Sequence, residues 1–252
     1  MTVRAVVFDL WGTLMVERRD LFPERARIRF ALLEPLFARH GIVTTLDEMG
    51  PRQRAANMAL GALHDEGVDV SAAERMRRIL AEFDTEVAAR ATEAELMDFS
   101  EAYGEAFRQT PPVLLDGAAE AIEHARREGL AIGLISNTGV ASGQHLREVL
   151  ANVGLLAHFD SLLFSDEHRM AKPNPKLFAQ SLADLDVGAA EAAFVGDTPR
   201  FDVSPPRKYG WWVVQVGDRD DGDPPAHRRV SHAGQVIPAL RELGLIRGAL
   251  ER

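Results

Sequence analysis

The chain has 252 residues, 46% hydrophobic and 27% charged, a balance that excludes disordered and fibrous proteins and leaves room for one large domain or two unequal ones. It contains no cysteine, which excludes disulfides, thiolate metal sites and cysteine nucleophiles, and its net charge of -9 argues against sequence-blind binding to nucleic acid or an anionic membrane. No apolar run approaches the roughly 20 residues of a membrane span, and Asp9 interrupts the apolar start with no small-residue cleavage site behind it, so the expected setting is the cytoplasm.

Val3 to Phe8 is a short β-branched and aromatic run, ended by Asp9 and the loop Trp11-Gly12-Thr13, and it predicts a buried strand. From Met15 to Thr110 strand signals vanish and helix signals dominate. Phe22, Ala26, Phe30, Leu33 and Phe37 form one apolar stripe, which Pro35 is expected to kink or restart. The six arginines between Arg18 and Arg39 are either an anion-steering rim or the wet face of that helix. The wet face is the favoured reading, with Arg18 and Arg19, nearest the hinge, the exceptions. Ser71-Ala-Ala-Glu74 is a capping signature before the stripe Met76, Ile79, Leu80, Phe83 and Val87. Thr92-Glu-Ala-Glu95 repeats it before Leu96, Phe99, Tyr103 and Phe107. These stripes predict a small helical bundle with an aromatic core.

From Pro111 onward short apolar runs alternate with helical stretches. Asp116 is expected to cap a helix over Ala118 to Glu128, stopped by Gly129. Leu130 to Ile135, Ser161 to Phe164, Ala192 to Val195 and Trp211 to Val216 read as strands. Gln144 to Val153 and Pro175 to Leu185 read as helices between them. Asp218 to Arg229 is a Pro/Asp-rich connection and Val236 to Ile246 a closing helix. Alternation of this kind predicts an α/β fold with a parallel sheet covered on both faces, whose ligands bind beyond the carboxyl ends of the strands.

The residues at those ends are Asp9, Ser136-Asn137-Thr138 and Asp197, and Lys172 lies in the loop before the Pro175 helix. A carboxylate can attack phosphorus and split one hard displacement into two. Attack by an anion on an anion needs neutralisation, which magnesium held by hard oxygen ligands supplies; Asp9 and Asp197 are the candidate ligands. Lys172 is a point cation for a phosphate oxygen and Ser136 a neutral donor to another. Lysine occurs only at 172, 176 and 208 among 29 basic residues, which marks out Lys172.

Asp9-Leu-Trp-Gly-Thr13, Ser136-Asn-Thr138, Lys172-Pro-Asn-Pro-Lys-Leu-Phe178 and Val195-Gly-Asp-Thr-Pro-Arg-Phe-Asp202 resemble, in order and spacing, the four motifs of the haloacid dehalogenase superfamily. The resemblance implies a Rossmann-like core over 1–14 and 112–252, with a helical cap over 15–111 inserted after the first strand. It implies an Asp9 nucleophile and magnesium bound by Asp9, the Trp11 carbonyl oxygen and Asp197. Ser136, Asn137 and Lys172 would bind the substrate, with Ser136 and Lys172 also serving catalysis, and Asp202 would stand behind the metal beside Lys172. A small phosphorylated substrate is the implied ligand, with the protein a monomer or homodimer.

The sequence departs from that pattern at Trp11, where phosphatases of the superfamily usually carry a second Asp as general acid and base. Indole only donates a hydrogen bond, and a positioned general acid is typically worth about 10²–10⁴-fold. Turnover is then expected for weakly basic leaving groups such as acyl phosphates. Glu17 is a candidate substitute acid. The aromatic at position 11 resembles the carbon-attacking dehalogenases, whereas Asp197 with Asp202 resembles the magnesium-binding phosphatases. Three readings stay open: a magnesium-dependent phosphatase, a 2-haloacid dehalogenase-like hydrolase, and a non-hydrolytic ligand-binding or biosynthetic accessory protein. Ser204-Pro-Pro206 is expected to reshape the helix start behind the metal site. His168 is a minor candidate for reaching the site, and Trp211 and Trp212 read as packing residues.

Overall fold

The computed structural model describes residues 2–220 and 222–246. β1 (Ala5–Phe8) is followed by a two-residue strand, β2 (Met15–Val16), and then by five helices: α1 (Phe22–Arg39), α2 (Leu46–Asp65), α3 (Ala72–Ala81), α4 (Thr85–Arg90) and α5 (Glu93–Gln109). β3 (Val113–Leu114) returns antiparallel to β2, pairing Met15 with Leu114 and Val16 with Val113. Both connections to the helical insertion therefore run through one two-stranded ribbon.

Beyond it come α6 (Ala118–Arg127), β4 (Ala131–Ser136), α7 (Gly143–Asn152), β5 (Ser161–Phe164), α8 (Ser165–His168), α9 (Pro175–Asp184), β6 (Ala192–Gly196), α10 (Ser204–Lys208), β7 (Trp212–Val216), β8 (Arg228–Val230) and α11 (Val236–Glu242). The main sheet has the order β5-β4-β1-β6-β7-β8, parallel at every pairing, with β1 between β4 and β6. Side chains alternate across it with period two. Val6, Phe8, Ile132, Leu134, Ala193 and Val195 face one core with α6, α7 and α11. Ala5, Val7, Ile135, Phe194 and Val213 face the other with Leu177 and Phe178 of α9. This is the parallel sheet covered on both faces that the strand alternation predicts, and the Rossmann-like core that the motif resemblance implies. Residues 247–252, the end of the expected core, lie outside the described residues.

The five inserted helices have a separate apolar cluster of Leu33, Phe37, Met49, Met76, Ile79, Leu80, Leu96, Phe99 and Tyr103. Each fully buried side chain of this size contributes about 1.5–3 kcal/mol. Several local expectations change. α1 runs unbroken through Pro35 to Arg39, since its buried stripe packs along α5 and outweighs one lost backbone bond. Phe22 leaves the stripe and is exposed. The stripe ending at Val87 is two helices, because Asp84 accepts a bond from the Val87 amide (2.9 Å) and caps α4. Thr45-x-x-Glu48, a capping box that opens α2 in the same way as Thr92 and Glu95 open α5, is a further start signal. Asp116 does not cap α6; Gly117, with a φ of +76°, holds that position. The closing helix ends early, at Glu242, and the acidic connection ends in a short edge strand, β8.

Candidate active site

Because β1 lies between β4 and β6 in parallel register, the residues just past their carboxyl ends arrive side by side. Asp9 leaves β1 with its amide donating to the Val195 carbonyl (2.8 Å). Ser136 ends β4, buried, its hydroxyl on the Asn137 carbonyl (3.3 Å). Asp197 follows the last residue of β6. Lys172 comes from the α8–α9 loop and is almost completely buried, its Nζ 2.6 Å from Asp9 Oδ1 and 2.7 Å from Asp202 Oδ1.

The supports of these groups are specific. Thr13 donates its hydroxyl to Asp9 Oδ2 (3.1 Å). Asp202 Oδ2 accepts the Thr198 amide (3.0 Å), and Asp197 Oδ1 accepts the Thr198 hydroxyl (2.8 Å). Arg219 pairs with Asp197 Oδ2 at 3.1 Å. The Asn137 carboxamide grips the Lys172 backbone, donating to its carbonyl (3.0 Å) and accepting from its amide (2.7 Å). Asn137 thus sets the position of the Lys172 loop. Glycine is required at two points for closeness: a Cβ on Gly12 would lie 2.4 Å from Asp197 Oδ2, and one on Gly196 2.3 Å from Asp202 Cβ.

Three carboxylates meet one buried ammonium here. Burial pushes the Asp9 carboxyl up, Lys172 pulls it back, and the Asp202 and Asp197 charges push it up again, to about 7. Burial disfavours the Lys172 ammonium, but Asp202 and Asp9 outweigh that and hold it at about 12. Burial, then the Asp202 charge, raises Asp197 as well. One oxygen from each of Asp9, Asp197 and Asp202 lies within 4.8 Å of the other two. A buried, oxygen-only donor set with surplus negative charge, beside a glycine whose missing side chain leaves it room, fits a hard divalent cation.

Trp11 stands beside this cluster, its indole edge-on to Phe107 of α5 at 6.2 Å and 74°. It forms part of the wall of a cavity of about 890 Å³ that runs from Gly12, Asp197 and Thr198 to the inserted helices, where Arg25, Arg29, Tyr103 and Phe107 line it. The wet-face expectation holds for Arg27 and Arg39, which are exposed, and is corrected at Arg25, buried, and Arg29, partly buried, both on the cavity wall. Of the two exceptions nearest the hinge, Arg19 lines the cavity, whereas Arg18 is exposed and paired with Asp20. The signal for Arg25 and Arg29 is the four-residue step from 25 to 29 beside the Phe22-Ala26 stripe. Glu17 lines the cavity too, bound to Arg25 at 2.8 Å. His168 is not among the lining residues.

A second polar cluster escaped the sequence reading. Asp69, from the α2–α3 loop, is buried and accepts from Arg75 Nη2 (2.5 Å), the Ser165 hydroxyl (2.5 Å) and the Thr138 hydroxyl (3.3 Å), with His64 Nε2 at 3.1 Å. The same loop reaches the Lys172 segment, Gly67 accepting from the Ala171 amide (3.1 Å) and the Asn174 side chain (2.9 Å).

Residues 3–210 match the sequence profile of the haloacid dehalogenase-like hydrolases. Over 111 residues, 44% of this chain and 43% of the relative, the sequence is 42% identical to a phosphoserine phosphatase of Thermus thermophilus. Over 96% of this chain and 98% of the relative it is 25% identical to a glyceraldehyde 3-phosphate phosphatase of Methanopyrus kandleri. The first relatives are matched over only about half their length. The fold is shared with a 2-haloacid dehalogenase of Pseudomonas syringae (TM-score 0.66, 19% identity, 96% of this chain and all of that one) and with a phosphatase of Thermococcus onnurineus (TM-score 0.62, 23% identity, 98% and all).

Proposed function

Because the chain belongs to the haloacid dehalogenase-like hydrolase family, we propose that it is a magnesium-dependent phosphatase of a small phosphorylated metabolite, working through an aspartyl-phosphate on Asp9. The observation that carries this reading is the cluster itself: the Asp9 carboxylate 2.6 Å from a buried ammonium, with two further carboxylates within 4.8 Å. The relatives named as phosphatases support it. Asp9 and Asp197 would hold the magnesium ion, helped by the Trp11 carbonyl, which accepts no hydrogen bond among the described residues. The ion would supply positive charge to the phosphoryl oxygens.

The residues divide the work. Lys172 and Thr13 fix the two Asp9 oxygens, so that one can be presented in line to phosphorus. Asp202 holds Lys172 from the far side and keeps it charged. In the first step an Asp9 oxygen forms the new P–O bond while the substrate ester bond breaks, and the leaving oxygen keeps the electron pair. Lys172 and Ser136 would donate to the non-bridging oxygens, whose charge is spread in the transition state. In the second step water attacks phosphorus and Asp9 leaves as a free carboxylate. The helical insertion would act as a cap, closing the cavity so that the phosphoryl group meets few stray waters.

Trp11 gives the leaving group no proton, so substrates with weakly basic leaving groups should turn over fastest. The test is phosphate release from acetyl phosphate and from glycerol 3-phosphate, with magnesium and with chelator. Activity should require the metal, favour the acyl phosphate, and fall by at least about 10³-fold in Asp9→Asn. No release from either compound sinks the proposal. Chloride release from 2-chloropropionate without metal would replace it with the dehalogenase reading, which the aromatic Trp11 favours and the Asp197–Asp202 pair opposes.

A further inference from the structure

The cavity wall made by α1 carries two arginines one turn apart, and their surroundings differ sharply. Arg25 is saturated: Nη1 reaches Glu17 (2.8 Å), Nε the Thr110 hydroxyl (2.7 Å) and Nη2 the Thr110 carbonyl (2.6 Å), while its guanidinium covers the Phe107 ring at 4.9 Å. Arg29 has no such partners. Its guanidinium lies 4.7 Å over the Tyr103 ring, and its Nε is closed off from solvent with no hydrogen-bond partner. The Tyr103 hydroxyl beside it is enclosed and unpartnered as well. Of the other arginines of the wall, Arg25 has Glu17, Arg75 has Asp69 and Arg219 has Asp197, while Arg19, which also forms no ion pair, is exposed to water. Among the described residues Arg29 forms no ion pair or hydrogen bond. Burial and the neighbouring Arg25 charge weaken its hold on the proton, only partly offset by Tyr103 and Glu17.

A desolvated cation without a counter-ion is expensive to keep. A fold that keeps one on the wall of a substrate-sized cavity has left that charge for a ligand. The geometry restricts which ligand. Tyr103 holds the group by its ring at 4.7 Å and Nε is enclosed, which leaves the terminal N–H groups of a planar guanidinium, donors that match the two coplanar oxygens of a carboxylate. The same cavity reaches Gly12, Asp197 and Thr198 at its other end, beside the phosphoryl site. We propose that the substrate is a phosphate compound carrying a carboxylate, and that Arg29, braced on Tyr103, is the binding residue for that carboxylate. This deepens the phosphatase reading and rests on it.

The test uses matched pairs that differ mainly in the carboxylate: phosphoserine against phosphoethanolamine, and 3-phosphoglycerate against glycerol 3-phosphate, each with magnesium. The quantity read is the ratio of kcat/KM between acid and neutral partner. It should favour the acid in the wild type and shrink about 10- to 100-fold in Arg29→Gln. Arg29→Lys should fall between, keeping the charge but losing the fork, and it serves if the Gln variant does not fold. A wild type without preference for the acids, or variants in which both partners fall equally, overturns the proposal. Equilibrium binding separates it from the catalytic reading. Phosphoglycolate should bind Asp9→Asn at least tenfold more tightly than it binds Asp9→Asn/Arg29→Gln, with inorganic phosphate binding the two alike. That result upholds the carboxylate site even if no substrate turns over, in which case the phosphatase reading alone fails. Equal phosphoglycolate affinity in the two variants overturns the site whatever the activity.

Discussion

Trp11 is where the chemistry of the site is least complete, and it is the residue most open to repair. Its indole meets the Phe107 ring in a T-shaped contact at 6.2 Å. Replacing it by Asp would put an ionisable group two residues past Asp9, where a proton can be handed to a departing oxygen. Trp11→Asp should raise kcat on glycerol 3-phosphate by about 10²-fold and cost stability through the lost ring contact. Steady-state rates at saturating magnesium check this, and an unchanged rate would mean that protonation of the leaving group is not what limits turnover. Asp9, Ser136, Lys172 and Asp197 were legible because each follows a strand end or opens a marked loop, positions that one-dimensional patterning identifies. Arg29 and Asp69 were not. A helix period tells which residues avoid the apolar stripe, but a side chain off the stripe can face either water or a cavity made by another segment, and only tertiary structure separates the two.

At the scale of elements, caps and strand runs were readable because they are local chemistry, while breaks depend on what lies across the interface. The Thr92–Glu95 box forms as its spelling implies, with the Thr92 amide on Glu95 at 2.8 Å and the Glu95 amide on the Thr92 hydroxyl at 3.3 Å. Pro35 breaks nothing. β8, with two arginines in three residues, gave no apolar run, and it pairs in parallel with β7 while Val230 enters the core. The turn before it holds a titratable group. The His227 ring packs against Trp212, tilted by 44° with centroids 4.4 Å apart, and its Nδ1 accepts the Val213 amide at 3.0 Å. Burial, then the Arg207 charge, depresses its pKa to about 4. The folded state therefore keeps His227 neutral where the unfolded chain protonates it, near pH 6.5. Stability from this group is complete above pH 6.5 and is lost as pH falls from there toward 4. The urea midpoint should drop between pH 7.5 and 5.5, and by less in His227→Gln. An equal drop in both proteins would assign the loss to another group.

At the scale of the molecule, the insertion is joined to the sheet by more than its two-stranded ribbon. Asp69 belongs to the insertion, in the loop between α2 and α3, yet it ties Ser165 at the start of α8 and Thr138 in the loop after β4 to Arg75. Burial raises its carboxyl pKa, but the hydrogen bond from His64, the Arg75 charge and the Ser165 bond outweigh that and leave it below the usual carboxylate range. Asp69→Ala would strand Arg75 in a buried position, at a cost of about 3–5 kcal/mol. Guanidinium unfolding should show that loss, and a change under about 1 kcal/mol would mean that the two bodies part freely at this point. The central place of β1 also bears on how the protein comes into being. Ala5–Phe8 leaves the ribosome well before its flanking partners, residues 131–136 and 192–196, which follow only after long stretches of intervening chain. Asp9 and its ammonium partner are 163 positions apart. A nascent chain halted before residue 192 thus carries an apolar hydrogen-bonding edge with nothing beside it, a state prone to aggregation, and its carboxylate cluster is assembled only once Asp197 and Asp202 have been made.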